Sequence, residues 1–389
     1  EYYRSALKGR QMPLAFVDLE LLDQNILDIV ARAGNKKIRV ATKSLRVPQL
    51  IRRVLDSSEV FQGLMCYSPR EMVYMSQQGF DDLLMGYPIW NEADITPICE
   101  ELKKGKKLVL MIDSLAHVNH LQAIGEKNGV VIPVCLDVDM SSDYPGLHFG
   151  VWRSSVRKAE DSIPVIDALL NADNVTLDGL MGYEAQVAGL GDSVEGQPLK
   201  NLVVRLLRSS SIKGIAKRRK AVFELIEKKG ISLRFVNGGG TGSMNSTTLE
   251  PAVTEVTVGS GFYSPSLFDH YSSFKYLPAA AYAIEVVRSP RPGIFTCLGG
   301  GYVASGEIGK LKQPVILLPE GAKLYDQEGV GEVQTPVLYD GQLEMGDPVI
   351  LRHSKAGELC EHFNSVLLIQ GGKVVGEAET NRGTGNAFL

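Results

Sequence analysis

IRVATKSLRVPQLIRRVLDSSEVFQGLMCYSPREMVYMSQQGFDDLLMGY, residues 38–87, sets the pattern from which the fold is read. Three short apolar runs, IRVAT (38–42), GLMCY (63–67) and DLLMGY (82–87), are separated by VPQLIRRVL and PREMVYMSQQ, whose apolar residues recur at helical spacing. Strand, helix, strand, helix, strand in one direction is the signature of parallel β/α units. The alternation continues with KLVLMI (107–112), VIPVCLDV (131–138), TLDGLMGY (176–183), SLRFVN (232–237) and EVTVGS (255–260). Between these lie NEADITPICEELKK, SLAHVNHLQAIGEK, a long helical stretch after Val156 and a longer one ending in AVFELIEKKG. Eight alternations in order predict a closed (β/α)8 barrel of the α/β class, with an open doubly wound sheet as the alternative.

From about Lys275 the texture changes to strand runs broken by Gly and Pro, among them AAYAIEVVRSP, IFTCLGGGYV, QPVILLPEG, DPVILRH and NSVLLIQGGKVVGEAE. A barrel uses roughly 250 residues, so the 389-residue chain has room for a second domain. The expected division is a barrel over residues 18–274 and a mostly β domain over 275–389, with 1–17 packing on the latter.

Charged residues make up 22% of the chain and the formal net charge is −4, which argues against a nucleic-acid or membrane-surface binder. The opening EYYRSALKGR lacks the pattern of a secretory signal, and five cysteines form an odd set without framework spacing, so a reducing cytoplasmic compartment is expected.

In a (β/α)8 barrel, reactive side chains gather at the C-terminal ends of the strands. Read that way, Lys43 follows strand one, Tyr87 ends strand three, Asp137 and Asp139 end strand five, and Tyr183 with Glu184 ends strand six. Strand seven runs into Asn237-Gly238-Gly239-Gly240-Thr241-Gly242, and strand eight into Gly259-Ser260-Gly261. Glycines let backbone N–H groups converge on an anion, hydroxyls add donors, and barrels often seat a phosphate between these two loops; each cluster alone is equally a tight turn. Lys43 closes a run suited to burial, and an amine in a low-dielectric pocket is a better nucleophile toward a carbonyl. The bland alternative is a solvated lysine at a strand end. Lysine plus a phosphate loop suits an aldehyde-bearing phosphate cofactor.

With these residues in view, the chain resembles the alanine racemase-like, fold-type III pyridoxal-phosphate enzymes, especially the D-threonine aldolase and D-serine dehydratase branch. FVDLELLDQNI looks like the family's first strand and helix, IRVATKSLRVPQLI like its lysine segment, GFDDLLMG like its third strand and VNGGGTG like its phosphate loop. The resemblance implies a Schiff base of pyridoxal-5'-phosphate with Lys43, a phosphate held by Gly239, Gly240, Thr241, Gly259 and Ser260, and Tyr183 in the cofactor pocket. Where the family carries Arg-x-Gly-Val after strand five, near the cofactor's phenolic oxygen, this chain has His148-Phe149-Gly150-Val151, with Arg153 just beyond. Either His148 takes that contact as a titratable group or Arg153 reaches back to it.

The branch also carries a divalent metal (Zn, Mn or Mg) on a His-x-Cys or His-x-Asp pair shortly before an asparagine, and the counterpart here is read as Glu358-Leu359-Cys360 before Asn364. If that stretch is extended, Glu358, Cys360 and His362 share one face; His353 is a further candidate, and a solvated edge beside a buried thiol is the other reading. The implied activity is cleavage of D-3-hydroxy amino acids to glycine and an aldehyde by a homodimer. Alternatives are D-serine or 3-hydroxyaspartate dehydration, then racemisation, and, from another class, a non-catalytic pyridoxal-phosphate carrier, against which the additional β domain argues.

Overall fold

The computed structural model describes residues 1–306 and 309–388. By its contacts the chain forms two compact units, one of Val30–Lys43 and Val54–Gly259 with Phe388, the other of Glu1–Ile29, Ser44–Arg53 and Ser260–Ala387.

The first unit is a closed barrel. Its eight strands are Lys37–Ala41, Phe61–Cys66, Leu83–Met85, Leu108–Ile112, Ile132–Asp137, Val175–Gly182, Phe235–Gly238 and Glu255–Val258, called the first to eighth barrel strands below. All neighbours are parallel, and the eighth pairs with the first through Glu255 opposite Lys37, which closes the ring and excludes the open sheet. Each expected run becomes a strand, with ends within three residues. The runs are legible because parallel strands are covered on both faces and so read as unbroken apolar stretches; Leu108–Ile112 is buried at all five positions.

Local signals set the helices between them. Ser114 accepts a hydrogen bond from the His117 N–H at the start of Leu115–Asn128, and Gly129 ends that helix in the left-handed conformation. Ser68 caps Pro69–Gln77 in the same way, with Pro69 in its first turn. The barrel interior is filled by Leu84, Val109, Met111, Cys135, Met181 and Phe235. A Cβ at Gly179 would lie 2.2 Å from Cζ of Phe235, so only glycine lets that ring fill the interior. A charged cluster is admitted there: the fully buried Arg39 meets the equally buried Glu255 at 2.7 Å and Asp82 at 3.2 Å. An arginine so placed is tolerated because its donors are met by carboxylates, and removing either partner of such a pair costs about 3–5 kcal/mol.

The second unit is built on a nine-stranded sheet. Its continuous path runs Lys323–Leu324, Gln334–Leu338, Ile294–Leu298, Ala280–Arg291, Leu14–Asp18, Ser365–Gln370 and Lys373–Glu379, with Pro348–Arg352 pairing Ala280–Arg291 and Val315–Leu318. FVDLELLDQNI therefore does begin in a strand, Leu14–Asp18, followed by the helix Leu19–Ala33, but the strand belongs to this sheet, antiparallel to Ala280–Arg291 and parallel to Ser365–Gln370. A boundary at residue 275 falls inside this unit, which resumes at Ser260. Leu7, Leu14, Phe16, Ala281, Ala283, Ile350, Leu367 and Ile369 form its core.

Candidate active site at the barrel mouth

The first barrel strand gives way at Thr42–Ser44 to a single 3-10 turn, and the Thr42 hydroxyl donates to Met65 O at 3.0 Å, fixing the turn that carries Lys43. The Lys43 ammonium donates to the hydroxyl of Tyr87 at 3.1 Å. Tyr87 follows the third barrel strand, so two sectors of the ring separated by the second strand meet through these two side chains.

The fifth barrel strand ends on Asp137, whose carboxylate is buried and accepts from Arg153 Nε at 2.7 Å. The same guanidinium donates to Gly86 O at 2.7 Å, and its central carbon lies 5.2 Å from the Tyr87 ring centre and 5.7 Å from that of Tyr183. Lys43, Tyr87, Arg153 and Tyr183 thus form a continuous arc over the C-terminal ends of the strands, in the barrel's usual place for chemistry. Burial pushes the Asp137 carboxyl up to about 6, against the pull of Arg153. Its other oxygen, Oδ1, is buried without a hydrogen-bond partner among the described residues. Burial, with the Glu184 charge adding to it, pushes the Tyr183 phenol up to about 12.

Of the two candidates for the family's arginine position, Arg153 stands in this arc. His148 is held elsewhere, in a hairpin of Ser142–Tyr144 with Leu147–Phe149. There its Nδ1 lies 2.7 Å from Asp143, and its ring stacks at 3.8 Å on Trp152.

The seventh barrel strand ends at Gly238 and the chain turns at Gly239 with φ +74°, where a Cβ would also meet Val256 Cγ1 at 2.9 Å. The turn is tied down from within. Gly239 N–H donates to Glu184 at 3.1 Å, and Gly240 N–H donates to Ser243 Oγ at 3.0 Å. These two amides are therefore already used, which corrects the expectation that they point at an anion; Gly242 N–H has no acceptor among the described residues. Tyr183 reaches this turn, its Cε2 being 3.4 Å from where a Gly240 Cβ would stand. Thr241 is buried in the same turn and its carbonyl accepts from Arg32. In the other unit, Ser260 opens the helix Ser260–Tyr263, next in sequence to Gly259, with its hydroxyl 3.3 Å from that of Ser44.

Glu184, which the sequence places at a strand end without a role, organises the turn. It accepts from Gly239 N–H, from Ser243 Oγ at 2.9 Å, from the Thr247 hydroxyl and from Arg219 at 2.8 Å; Arg219 in turn pairs with Glu250. All of these groups are buried. The pattern signal was a strand-end carboxylate beside an arginine inside the helix Pro198–Lys228, over thirty residues later.

The expected metal site does not form. Residues 356–358 are a 3-10 turn and Leu359–His362 a helix, so Glu358 and Cys360 do not share a face as they would on a strand. Glu358 accepts from Ser305 N–H at 3.0 Å, the buried Cys360 thiol lies 3.2 Å from Leu45 O, and His362 stacks on Tyr302. Burial pushes that thiol up to about 12, away from the thiolate a metal needs. His353 is buried and, chiefly through burial, held neutral, its titration pushed down to about 3. No group of three or more His, Cys, Asp or Glu side chains able to hold a metal occurs among the described residues. Nor is any helix among them long and apolar enough to cross a membrane.

A family model described as alanine racemase, N-terminal domain, matches residues 17–266. Two 3-hydroxy-D-aspartate aldolases of Paracoccus denitrificans, one from strain Pd 1222, are 22% and 23% identical to this chain over 252 and 256 residues. Each match covers 64% of this chain and 59% of the relative. Among solved structures, D-threonine aldolase from Filomicrobium marinum superposes with a TM-score of 0.80 at 15% identity, covering 95% of this chain and 94% of that one. D-threo-3-hydroxyaspartate dehydratase from Delftia sp. HT23 gives 0.76 at 16% identity, covering 96% and 98%. At these identities the two structures establish the shared fold.

Proposed function

The chain belongs to the alanine racemase N-terminal domain family, and from that premise we propose that it is a pyridoxal-phosphate lyase cleaving D-3-hydroxy amino acids between Cα and Cβ to glycine and an aldehyde. The observation that carries the reading is the convergence of Lys43, Tyr87, Arg153 and Tyr183 on one end of the barrel, with Tyr183 beside the glycine turn. These residues fit the cofactor. Lys43 offers an amine to an aldehyde, and Arg153 a fixed cation to a phenolic oxygen. Asp137 Oδ1, buried without a partner beside Arg153, marks a polar position that a bound group would complete.

When bound, pyridoxal phosphate supplies an electron sink for the pair left at Cα by bond cleavage. The protein's own residues do the rest. Lys43 Nζ would hold the cofactor's aldehyde and, as a free amine, would take the proton of the β-hydroxyl and return one to Cα. Arg153, fixed at both ends by Asp137 and Gly86 O, keeps a positive charge in place throughout. Tyr183 packs between that charge and the Gly240 turn, and Thr241 and Gly259 would supply phosphate contacts that the family resemblance assigns. The donors around Glu358 and Cys360 do not fit a divalent ion, so no step is drawn through one. Assembly as a homodimer is part of the same proposal.

Dehydration is the second reading, favoured by the comparable superposition on the hydroxyaspartate dehydratase. Incubation with D-threonine and D-3-hydroxyaspartate separates the two. Glycine with acetaldehyde or glyoxylate supports cleavage, ammonia with a 2-oxo acid supports dehydration, and only the other enantiomer would overturn both.

A further inference from the structure

Each turnover requires Lys43 to gain and lose a proton, and the amine is only partly exposed. The Tyr87 hydroxyl receives its hydrogen bond at 3.1 Å, and Tyr87 is 42% exposed. Arg153 acts on the same tyrosine twice: its guanidinium carbon lies 5.2 Å from the ring centre, and its Nη2 donates to Gly86 O, the carbonyl just before Tyr87 in the chain. A cation over the face of a phenol lowers the cost of charge on its oxygen, and the second contact fixes the backbone that aims the ring.

We propose that Tyr87 is the proton relay between Lys43 and solvent, with Arg153 as the residue that positions and electrostatically supports it. The inference rests on the reading of Lys43 as the catalytic amine. The transfer balances without any co-reactant. A proton leaves Lys43 Nζ for Tyr87 Oη as the phenol's own proton passes to water, so that Lys43 loses one proton, water gains one and Tyr87 is unchanged; the reverse sequence reloads the amine. The ionisable groups around the relay are Lys43 from the first barrel strand, Asp137 and Arg153 from the fifth strand and its following loop, and Tyr183 from the sixth. Tyr87 hydrogen-bonds Lys43 and also presents substantial surface to water.

The test is Tyr87→Phe, with Tyr87→His as a second variant that restores a proton-transferring group. In the cofactor-loaded protein Y87F keeps its absorption band, because the amine is untouched. The pH at which that band changes moves downward, since the protonated nitrogen loses a hydrogen-bond acceptor. Turnover falls roughly a hundredfold with KM little changed, and imidazole added to the buffer restores it in proportion to its concentration, as Y87H does without addition. A Y87F protein with unaltered turnover, or with lost turnover that neither imidazole nor Y87H recovers and an unmoved band, overturns the relay. If the unmodified chain takes up no pyridoxal phosphate at Lys43, the underlying lyase reading fails as well, so the two failures are distinct.

Discussion

Glu184 accepts the backbone N–H of Gly239 at 3.1 Å, so a buried carboxylate, itself paired with Arg219, holds the turn expected to meet a phosphate. Glu184→Gln keeps the shape but gives up the charge that binds Arg219 and the turn together. The expected outcome is a loss of roughly tenfold in pyridoxal-phosphate affinity, equivalent to about 1.4 kcal/mol, together with a lower melting temperature. Absorbance titration of the apoprotein checks it, and unchanged affinity would remove Glu184 from the site.

Asp137 gives a pH dependence whose sign follows from its environment. Its folded pKa, about 6, lies above the ordinary 3.8, so the folded apoprotein binds that proton more tightly than the unfolded chain does. Its contribution to stability is therefore full below about pH 4 and is lost as pH rises through about 6, a change of ~3 kcal/mol. Asp137→Asn is expected to flatten this part of the stability profile. It also releases Arg153, so turnover falls and the acid limb of the activity profile near pH 6 disappears. Melting curves and initial rates between pH 4 and pH 8 test both.

The two candidates for the family's arginine contact are separable by substitution. Arg153→Ala removes the charge that bridges Asp137, Gly86, Tyr87 and Tyr183, and turnover is expected to fall by roughly a hundredfold or more. His148→Ala, in a hairpin and paired with Asp143, is expected to change it by less than about threefold, within the range of ordinary surface substitutions. The opposite ranking would return the role to His148.

Glu358→Gln and Cys360→Ser test the metal reading. Glu358 is engaged by Ser305 N–H and the Cys360 thiol by Leu45 O, so neither change is expected to alter bound metal measured by atomic emission, and activity should stay within about twofold of the parent. Loss of a stoichiometric ion in either variant would contradict this.

The barrel was legible because its strands are compact apolar runs and the first six are followed by helices of the right period, all of it readable locally. Leu14–Asp18 shows where local evidence ends: its own residues announce a strand, but its partners, Ala280–Ala283 and Val366–Ile369, lie more than 260 residues away, and no pattern within the segment names them. Residues 356–362 failed for another reason. Seven residues are too few to distinguish a helical turn from a strand by periodicity, and an argument from alternating faces then inherits the wrong backbone.

The site divides in the same way. Lys43, Asp137 and Tyr183 were found because a barrel presents its strand ends. The pairings were invisible, since Arg153 reaches Asp137 and Gly86 from a loop whose course is fixed only in three dimensions. The sequence assigns Gly239 and Gly240 to a phosphate cradle, but their amides are claimed by Glu184 and Ser243, a detail that composition cannot carry.

The point of cofactor attachment is the most direct measure of the role of Lys43. Pyridoxal phosphate is added to the apoprotein, the adduct is reduced with borohydride, and the digested protein is mapped by mass spectrometry. The reduced pyridoxyl group is predicted on Lys43 and absent from Lys43→Ala. Modification confined to another lysine, or none retained after reduction, would contradict the central claim.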